Sequence, residues 1–554
     1  MPLDNLDLQP EQFASTRRYK ALARYQAYLD GKQYEGRPDF WTGTGSNNRR
    51  VPLRERAPCI IYPLPRAAVN QCTRFTFGEG RFPEVKVEPI EPDDALSPGL
   101  TLTDDEAATL TQFCAGVIEQ GNLKPRMRAI LRRGLSVGTA VAIVAIREGR
   151  IALDLPHAQD CWPTFRTDCA SAVTRLVWAY GFDKPVLDAA GNVTYKRHFF
   201  RRDIDEIGVT AYEDAPVEVG RRIEWTVDET QSYQHGLGFC PVLWMRNLAD
   251  EYGGSIDGTS LYAELEDEFD ALNFALSQRH RGLVYFGTPQ PWETGVEDGD
   301  GPGTTGQTAA PRGGKPGYSP AQEGPFGVTP EAARKAAPDQ VWSFSGKDVR
   351  IGLLETTGAS FKVATDHVLD IRSRLLEAMD VILLDPQSVA GKGDMSAKAL
   401  TLMYAPLLAL VDELRQCWWT YGLGALITMV LRVVTQLDGR GIYLSGATRA
   451  ASILKRFLFT TDTGLRVWMP PTLTPTWGDY FSPSNGEISE AVNTAAKAKR
   501  EKLVQAETAT RYVGPYFGVT DAVAELEAIE EDAPSQVPTV PTTPPETPTT
   551  PETP

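Results

Sequence analysis

Residues 360–432 read SFKVATDHVLDIRSRLLEAMDVILLDPQSVAGKGDMSAKALTLMYAPLLALVDELRQCWWTYGLGALITMVLR: a helix, a loop and a much longer helix. Val368, Ile371, Leu375 and Met379 recur at spacings of three and four, which puts them on one face of a helix opening after Gly358 and Ala359. The run LDPQSVAGKG (residues 384–393) breaks that period, because proline fixes its own φ and glycine loses the most entropy on becoming helical. From Ser396 a second apolar stripe passes through Leu400, Met403, Leu407, Leu410, Leu414, Cys417 and Tyr421. Pro406 lies inside it, removes one backbone hydrogen bond and predicts a kink. A helix of this length exceeds what one small domain needs to close a core.

Outward from this stretch, 554 residues predict three or four structural regions at about 150 residues each. A composition of 42% hydrophobic and 23% charged residues is that of a globular chain. The net charge of −16 argues against a protein that grips nucleic acid by neutralising many phosphates. It leaves room for one that lets nucleic acid slide past, since a wall poor in cations gives a polyanion little to hold. Seven cysteines without a CxxC pair favour buried thiols in a reducing compartment over a disulfide framework. The first residues, MPLDNLD, carry no basic and apolar leader pattern. The uncharged run 416–431 is shorter than the ~18–20 residues that span a bilayer, so the expectation is a buried helix end without membrane contact.

Before residue 255 the expected order is helices first and antiparallel strands afterwards, an α+β pattern. Helices are expected at 10–30, stopped by Gly31, and at 66–77, with a strand at 84–87. Thr103 and Glu106 have the spacing of a capping box at the start of a helix that runs to Gly121, and another helix follows at 125–134. Strands are expected at 137–146 and 150–155 across a Glu148-Gly149 turn, then at 172–180, 193–201, 207–212, 222–227 and 241–245. Residues 255–280 read as a helix with Leu261, Leu265, Phe269, Leu272 and Leu276 on one face and Glu264, Glu266, Asp267, Glu268 and Asp270 on the other. Short strands are expected at 283–286, 341–344 and 349–355, around a Gly/Pro/Ala-rich insert at about 295–330. A ribbon near 457–469, the sequence PTWGDYF (475–481) and helices at 487–508 and 521–531 precede a Pro/Thr/Glu tail.

Catalytic chemistry finds no home in the motifs. Gly391-Lys392-Gly393 and Gly346-Lys347-Asp348 lack both the Ser/Thr after Lys and the Gly five residues before it that a Walker loop needs. His157, Cys161 and Cys169 form at most half a zinc site. The acidic run 264–270 could serve a metal-dependent nuclease, yet no Glu-x-x-His completes a carboxylate metal site. The Arg126, Arg128, Arg132 and Arg133 cluster reads as a helix surface, and no Gly-x-Ser-x-Gly elbow occurs.

The order of elements is more informative than any motif. GLSVGTAVAIVAI (134–146) with RIALDL (150–155) and the strand containing Pro163, GFCPVLW (238–244), then Gly258-Thr259-Ser260 opening a helix that contains Asn273, and GKGDMSAKAL (391–400) opening the long helix, resemble the portal proteins of tailed bacteriophages. The resemblance covers residues 10–531. It implies an α+β protomer with wing, stem, clip and crown regions that assembles into a ring with a central channel. Residues 1–254 would be the N-terminal wing, 255–281 the first stem helix, 282–359 the clip with its flexible insert, and 360–383 the second stem helix. Residues 384–395 would form the tunnel loop, 396–480 the long kinked wing helix and ribbon, 481–533 the crown helices and 534–554 a disordered tail.

The function so implied is not enzymatic and uses no cofactor or metal. It is a ring, usually dodecameric, at one vertex of the virion capsid, assembled in the host cytoplasm. The ring passes double-stranded DNA during packaging and ejection. Its implied partners are further copies of itself, the terminase large subunit, the major capsid and scaffolding proteins and a head-to-tail adaptor. Within it, Asp385, Pro386, Gln387, Ser388, Gly391, Lys392 and Gly393 would be tunnel-loop residues, and Glu264, Asp267, Glu268, Arg372 and Arg374 channel or inter-subunit charges. Pro406 would mark the helix kink. The alternative is another non-enzymatic ring-forming capsid or adaptor protein.

Overall fold

The structure is a computed structural model. It describes residues 16–43, 49, 51–91, 100–167, 169–187, 192–217, 222–248, 255–286, 290–294, 350–354, 359–383, 397–460, 466–481, 485–517, 519 and 522–532. The chain is a mixed α+β protein, as its periodicities predict.

Helices come first. Helix α1 (Arg17–Asp30) starts where the Thr16 hydroxyl accepts from the Tyr19 N–H, and it ends at Gly31, whose φ of 74° only glycine adopts without cost. Helix α2 (Leu64–Phe77) and strand β1 (Glu84–Val87) follow. The capping box of α3 (Asp104–Gln120) is present: the Thr103 hydroxyl accepts from Glu106 N–H, and the Glu106 carboxylate accepts from Thr103 N–H. Helix α4 (Leu123–Val137) then delivers the chain into β2 (Thr139–Arg147), whose first six residues are all buried.

Strand β2 is central in a three-stranded antiparallel sheet, between β3 (Arg150–Asp154) and β10 (Val242–Arg246). The β2–β3 turn has positive φ at both Glu148 and Gly149, the geometry that matches the twist of a tight hairpin. A second antiparallel sheet contains β4 (Cys161–Arg166), β5 (Cys169–Leu187), β6 (Val193–Ile204), β7 (Gly208–Ala211) and β9 (Tyr233–Gln234), with the short β8 (Ala215–Pro216) on β6. Residues 222–227, expected as a strand, contribute only an isolated bridge from Val227 to Tyr212.

Helix α5 (Glu266–Phe286) begins later than the expected 255, and there is a tertiary reason. Residues 258–261 spend their polar groups on α4 and β2: Gly258 N–H donates to Thr139 Oγ1, the Ser260 hydroxyl to Ser136 O and Leu261 N–H to Leu135 O. Glu264 has a φ of 67°, outside any helix. The far end overruns as well, since residues 283–286 are the last turn of α5 and not a strand. Strand β11 (Gln290–Thr294) pairs antiparallel with β12 (Arg350–Leu354), and helix α6 (Ala359–Ala378) returns along α5. It stops five residues short of the expected 383, where Asp380 turns to a φ of 52° and Val381 N–H reaches back to Leu376 O.

The expected single kinked helix is segmented into α7 (Ala397–Met403), α8 (Ala405–Trp418), a π turn (Trp419–Leu423) and α9 (Gly424–Gln436). The first break falls at Tyr404, and Pro406 sits in the first turn of α8, where a missing N–H costs nothing. Among the described residues, Ala405–Gln436 is the one helical run long and apolar enough to cross a membrane by length and composition, and more than half of its most apolar window is buried inside the protein. Helix α10 (Ala447–Leu454), the ribbon β13 (Leu458–Thr460) with β14 (Arg466–Trp468), and β15 (Leu473–Thr476) complete the body. Strand β15 pairs with β1. The helix expected at 487–508 divides into α11 (Asn485–Arg500) and α12 (Ala506–Val513) around Lys502 at a φ of 58°, and α13 (Ala522–Asp532) follows.

One large core joins α2, α3, α4, α5, α6, α8, α9 and α10, with Trp418 among its largest fully buried side chains. Gly134 lets Trp418 lie against α4, for a Cβ there would stand 2.2 Å from the indole. Trp418 Nε1–H donates to Asn247 Oδ1 at 2.9 Å. Asn247 in turn lies over Gly258, whose own Cβ would meet Asn247 O at 2.2 Å. Small residues therefore set the distance between α4, the long helix and the entry to α5.

Candidate functional site

The candidate site is the antiparallel hairpin of α5 and α6 and the helix breaks that follow it. The five carboxylates read as one acidic face do not share one. Glu264 precedes the helix and is exposed. Asp267 and Glu268 occupy the first turn of α5 with Glu266, where negative charge complements the unpaired N–H groups of the helix start. Asp267 is exposed, 3.4 Å from Arg24 Nη2, and Glu268 is half-buried.

Asp270 is a joint with α1. One of its oxygens accepts from the hydroxyls of both Tyr28 and Tyr34, each at 2.7 Å, and Arg37 stands 3.9 Å from the other. Burial, then the bond to Asp270, raises the Tyr28 hydroxyl above its ordinary range, and burial is the leading cause for Tyr34 as well. Asn273 accepts from Tyr62 N–H and donates to Tyr34 Oη, and Ser277 Oγ accepts from Ile60 N–H. This side of α5 is therefore pinned to the N-terminal segment and does not look into open solvent. The sequence signal was available in the three polar residues Asp270, Asn273 and Ser277, spaced three and four apart on one face.

The remaining predicted charges lie on α6. Arg374 is exposed and paired one turn back with Asp370 at 3.5 Å, and Arg372 is half-buried. Asp385, Pro386, Gln387, Ser388, Gly391, Lys392 and Gly393 lie outside the described residues. Beyond them, the Glu487 carboxylate of α11 accepts from Lys398 N–H at the start of α7, where negative charge complements the helix start.

Beside the Asp270 side, the hairpin carries an open groove of about 710 Å³, lined by Ala271, Phe274, Ala275, Gly282, Phe361 and Ala364. Ala271 and Ala275 are one turn apart and keep it open. Arg279 and His367 also line it. Leu283, Val284, Val363 and Leu369 are each about half or more exposed on the same two helices. Such a run of exposed apolar side chains on one element is unusual for a surface that meets only water.

The sequence PTWGDYF, to which no role is assigned from sequence, acts as a clasp on α8. Trp477 stacks on Phe77 with ring centroids 5.8 Å apart, the Arg415 guanidinium lies 4.0 Å from the Tyr480 ring, and the Tyr480 hydroxyl donates to Asp412. Among the described residues, no three His, Cys, Asp or Glu side chains gather as metal ligands. Cys161 is fully buried and its thiol is pushed well above the ordinary range, whereas His157 is exposed, so the two do not form a shared ligand pair. No protein-family model matches the chain, and no curated protein does.

Proposed function

We propose that this chain is the protomer of a portal ring: a conduit for double-stranded DNA at one capsid vertex, with α5 and α6 as stem, the β11–β12 end as clip, the two sheets as wing and α11–α13 as crown. The observation that carries the reading is the hairpin. Helix α5 starts in the core at Phe269 and Leu272, an antiparallel ribbon joins its far end to α6, and the groove between them is open within a single copy. An apolar groove is stabilised by a neighbour, and a heterologous contact repeated around an axis closes into a ring. The breaks at Tyr404 and at 419–423 would then let the helix after α6 turn outward. Terminase, capsid, scaffolding and adaptor contacts belong to the same reading, as does location in the virion.

Electron micrographs of the purified full-length protein test it. Rings with a central hole wide enough for a DNA duplex are expected. Ala275→Trp fills the groove with its own indole and should convert rings to monomers while the circular dichroism spectrum stays that of the wild type. Wild-type protein that remains monomeric at high concentration overturns the proposal. Rings too narrow for DNA would turn it towards another capsid or adaptor protein.

A further inference from the structure

Helix α6 carries a second surface besides the one it gives to the groove. Phe361, Ala364, His367 and Ile371 line the groove at spacings of three and four. Val363, Asp366, Leu369 and Asp370 form a ridge centred about a third of a turn or more round the same helix. All four are exposed, Val363 by 68% and Leu369 by 54%, so two apolar side chains flank a carboxylate on the outside of the hairpin. The groove has the complementary make-up: among the described residues its lining includes Arg279 and no carboxylate. Asp370 is paired with Arg374, whereas Arg279 and Asp366 have no ion pair among the described residues.

We propose that the α6 ridge of one copy enters the α5–α6 groove of the next, with Asp366 against Arg279 and Leu369 against Phe274 and Ala275. The inference rests on the ring reading and names the other half of the contact that the groove requires. Heights along the hairpin select this register. Gly282 and Phe361 are level, since a Cβ on Gly282 would stand 3.3 Å from the Phe361 ring. The two helices run antiparallel, so Asp366, five residues beyond Phe361, is level with Ser277, and Leu369 is level with Phe274. A rotation about an axis along the hairpin preserves these heights. Asp366 of one copy then stands within two residues of rise, about 3 Å, of Arg279 in the next, a gap that the long arginine side chain closes.

Pairing groove to groove about a two-fold axis is disfavoured, because it would bring two Arg279 guanidinium groups together in an apolar space. Ridge and groove lie on different sides of α6, so the contact is head-to-tail and a chain of copies can close on itself. The apolar pair supplies burial and the Asp366–Arg279 pair fixes the register.

Light scattering behind size-exclusion chromatography, with micrographs of the same fractions, tests the pairing on the full-length protein. Asp366→Arg and Arg279→Glu should each weaken assembly by about tenfold or more, and the double variant should recover most of the loss. Leu369→Glu keeps an intact groove and Ala275→Trp an intact ridge, so each alone should be monomeric, while an equimolar mixture stops at pairs containing one copy of each. Asp366 and Leu369 are exposed in the single copy, so their variants should keep the wild-type circular dichroism spectrum. Rings from Leu369→Glu or Asp366→Arg as abundant as from the wild type overturn the inference and leave the ring reading standing. So does a double variant that assembles no better than Asp366→Arg and Arg279→Glu, or a mixture that stays monomeric. A wild-type dimer that Arg279→Glu tightens and Leu369→Glu leaves unchanged means groove-to-groove pairing and also overturns the inference. A wild type that remains monomeric overturns both.

Discussion

Replacing Gly134 by alanine tests the packing of the body at its tightest point. The added methyl would stand 2.2 Å from Cη2 and Cζ2 of Trp418, where carbon atoms prefer about 3.5–4.0 Å. Neither side can easily yield. Ile130, Leu131 and Leu135 of α4 are at most 1% exposed, and the indole is tied to Asn247. Overpacking of this kind costs about 1–3 kcal/mol, while alanine in place of glycine in a helix returns about 1 kcal/mol, so a net loss of about 0–2 kcal/mol is expected. Trp418→Phe removes the two clashing atoms, at the cost of a void and of the donor to Asn247, on the order of 1–3 kcal/mol. The double variant should then be more stable than the sum of the two losses by about 1 kcal/mol or more. Urea unfolding followed by circular dichroism measures the cycle, and hydrogen exchange of the α4 amides localises it. Losses that add within about 0.5 kcal/mol would refute the contact.

Further outcomes follow from two carboxylates, the buried Asp160 and the half-buried Asp270. Burial pushes Asp160 up to about 7. The folded chain therefore holds that proton where the unfolded chain has lost it, so its stabilising contribution is complete below about pH 4 and is lost as the pH rises to about 7, a change of at most about 4 kcal/mol. The wild-type advantage over Asp160→Asn should accordingly shrink between melting curves at acid and neutral pH, and a pH-independent difference would contradict it. Asp270→Ala strips Tyr28 and Tyr34 of their shared acceptor and should cost about 2 kcal/mol. Limited proteolysis should then cut within residues 31–60 earlier than in the wild type, and an unchanged digestion pattern would dismiss the joint.

What could be read in the sequence is what local chemistry decides. The Gly31 stop, the Thr103–Glu106 box and the Glu148-Gly149 turn each depend on a few neighbouring residues, and each is present. The start of α5 could not be read, because its apolar spacing begins at Leu261 while distant groups on α4 and β2 hold residues 258–261 out of the helix. The breaks at Tyr404 and at 419–423 are likewise hidden behind an apolar stripe that continues through them. At the candidate site, charge was visible but its partner was not: an acidic face looks solvated until Tyr28 and Tyr34 arrive from over 230 positions away.

The pairing of β1 with β15 has a consequence in time. Val87 meets Leu473, and Glu84 meets Thr476, so roughly 390 residues separate the two strands along the chain. At about 5–20 residues per second on the ribosome, β1 waits roughly 20–80 s for its partner to be made. During that interval Val85 and Val87 belong to an unpaired edge, which makes the nascent chain's early segment a target for chaperones before the protein has any function to perform.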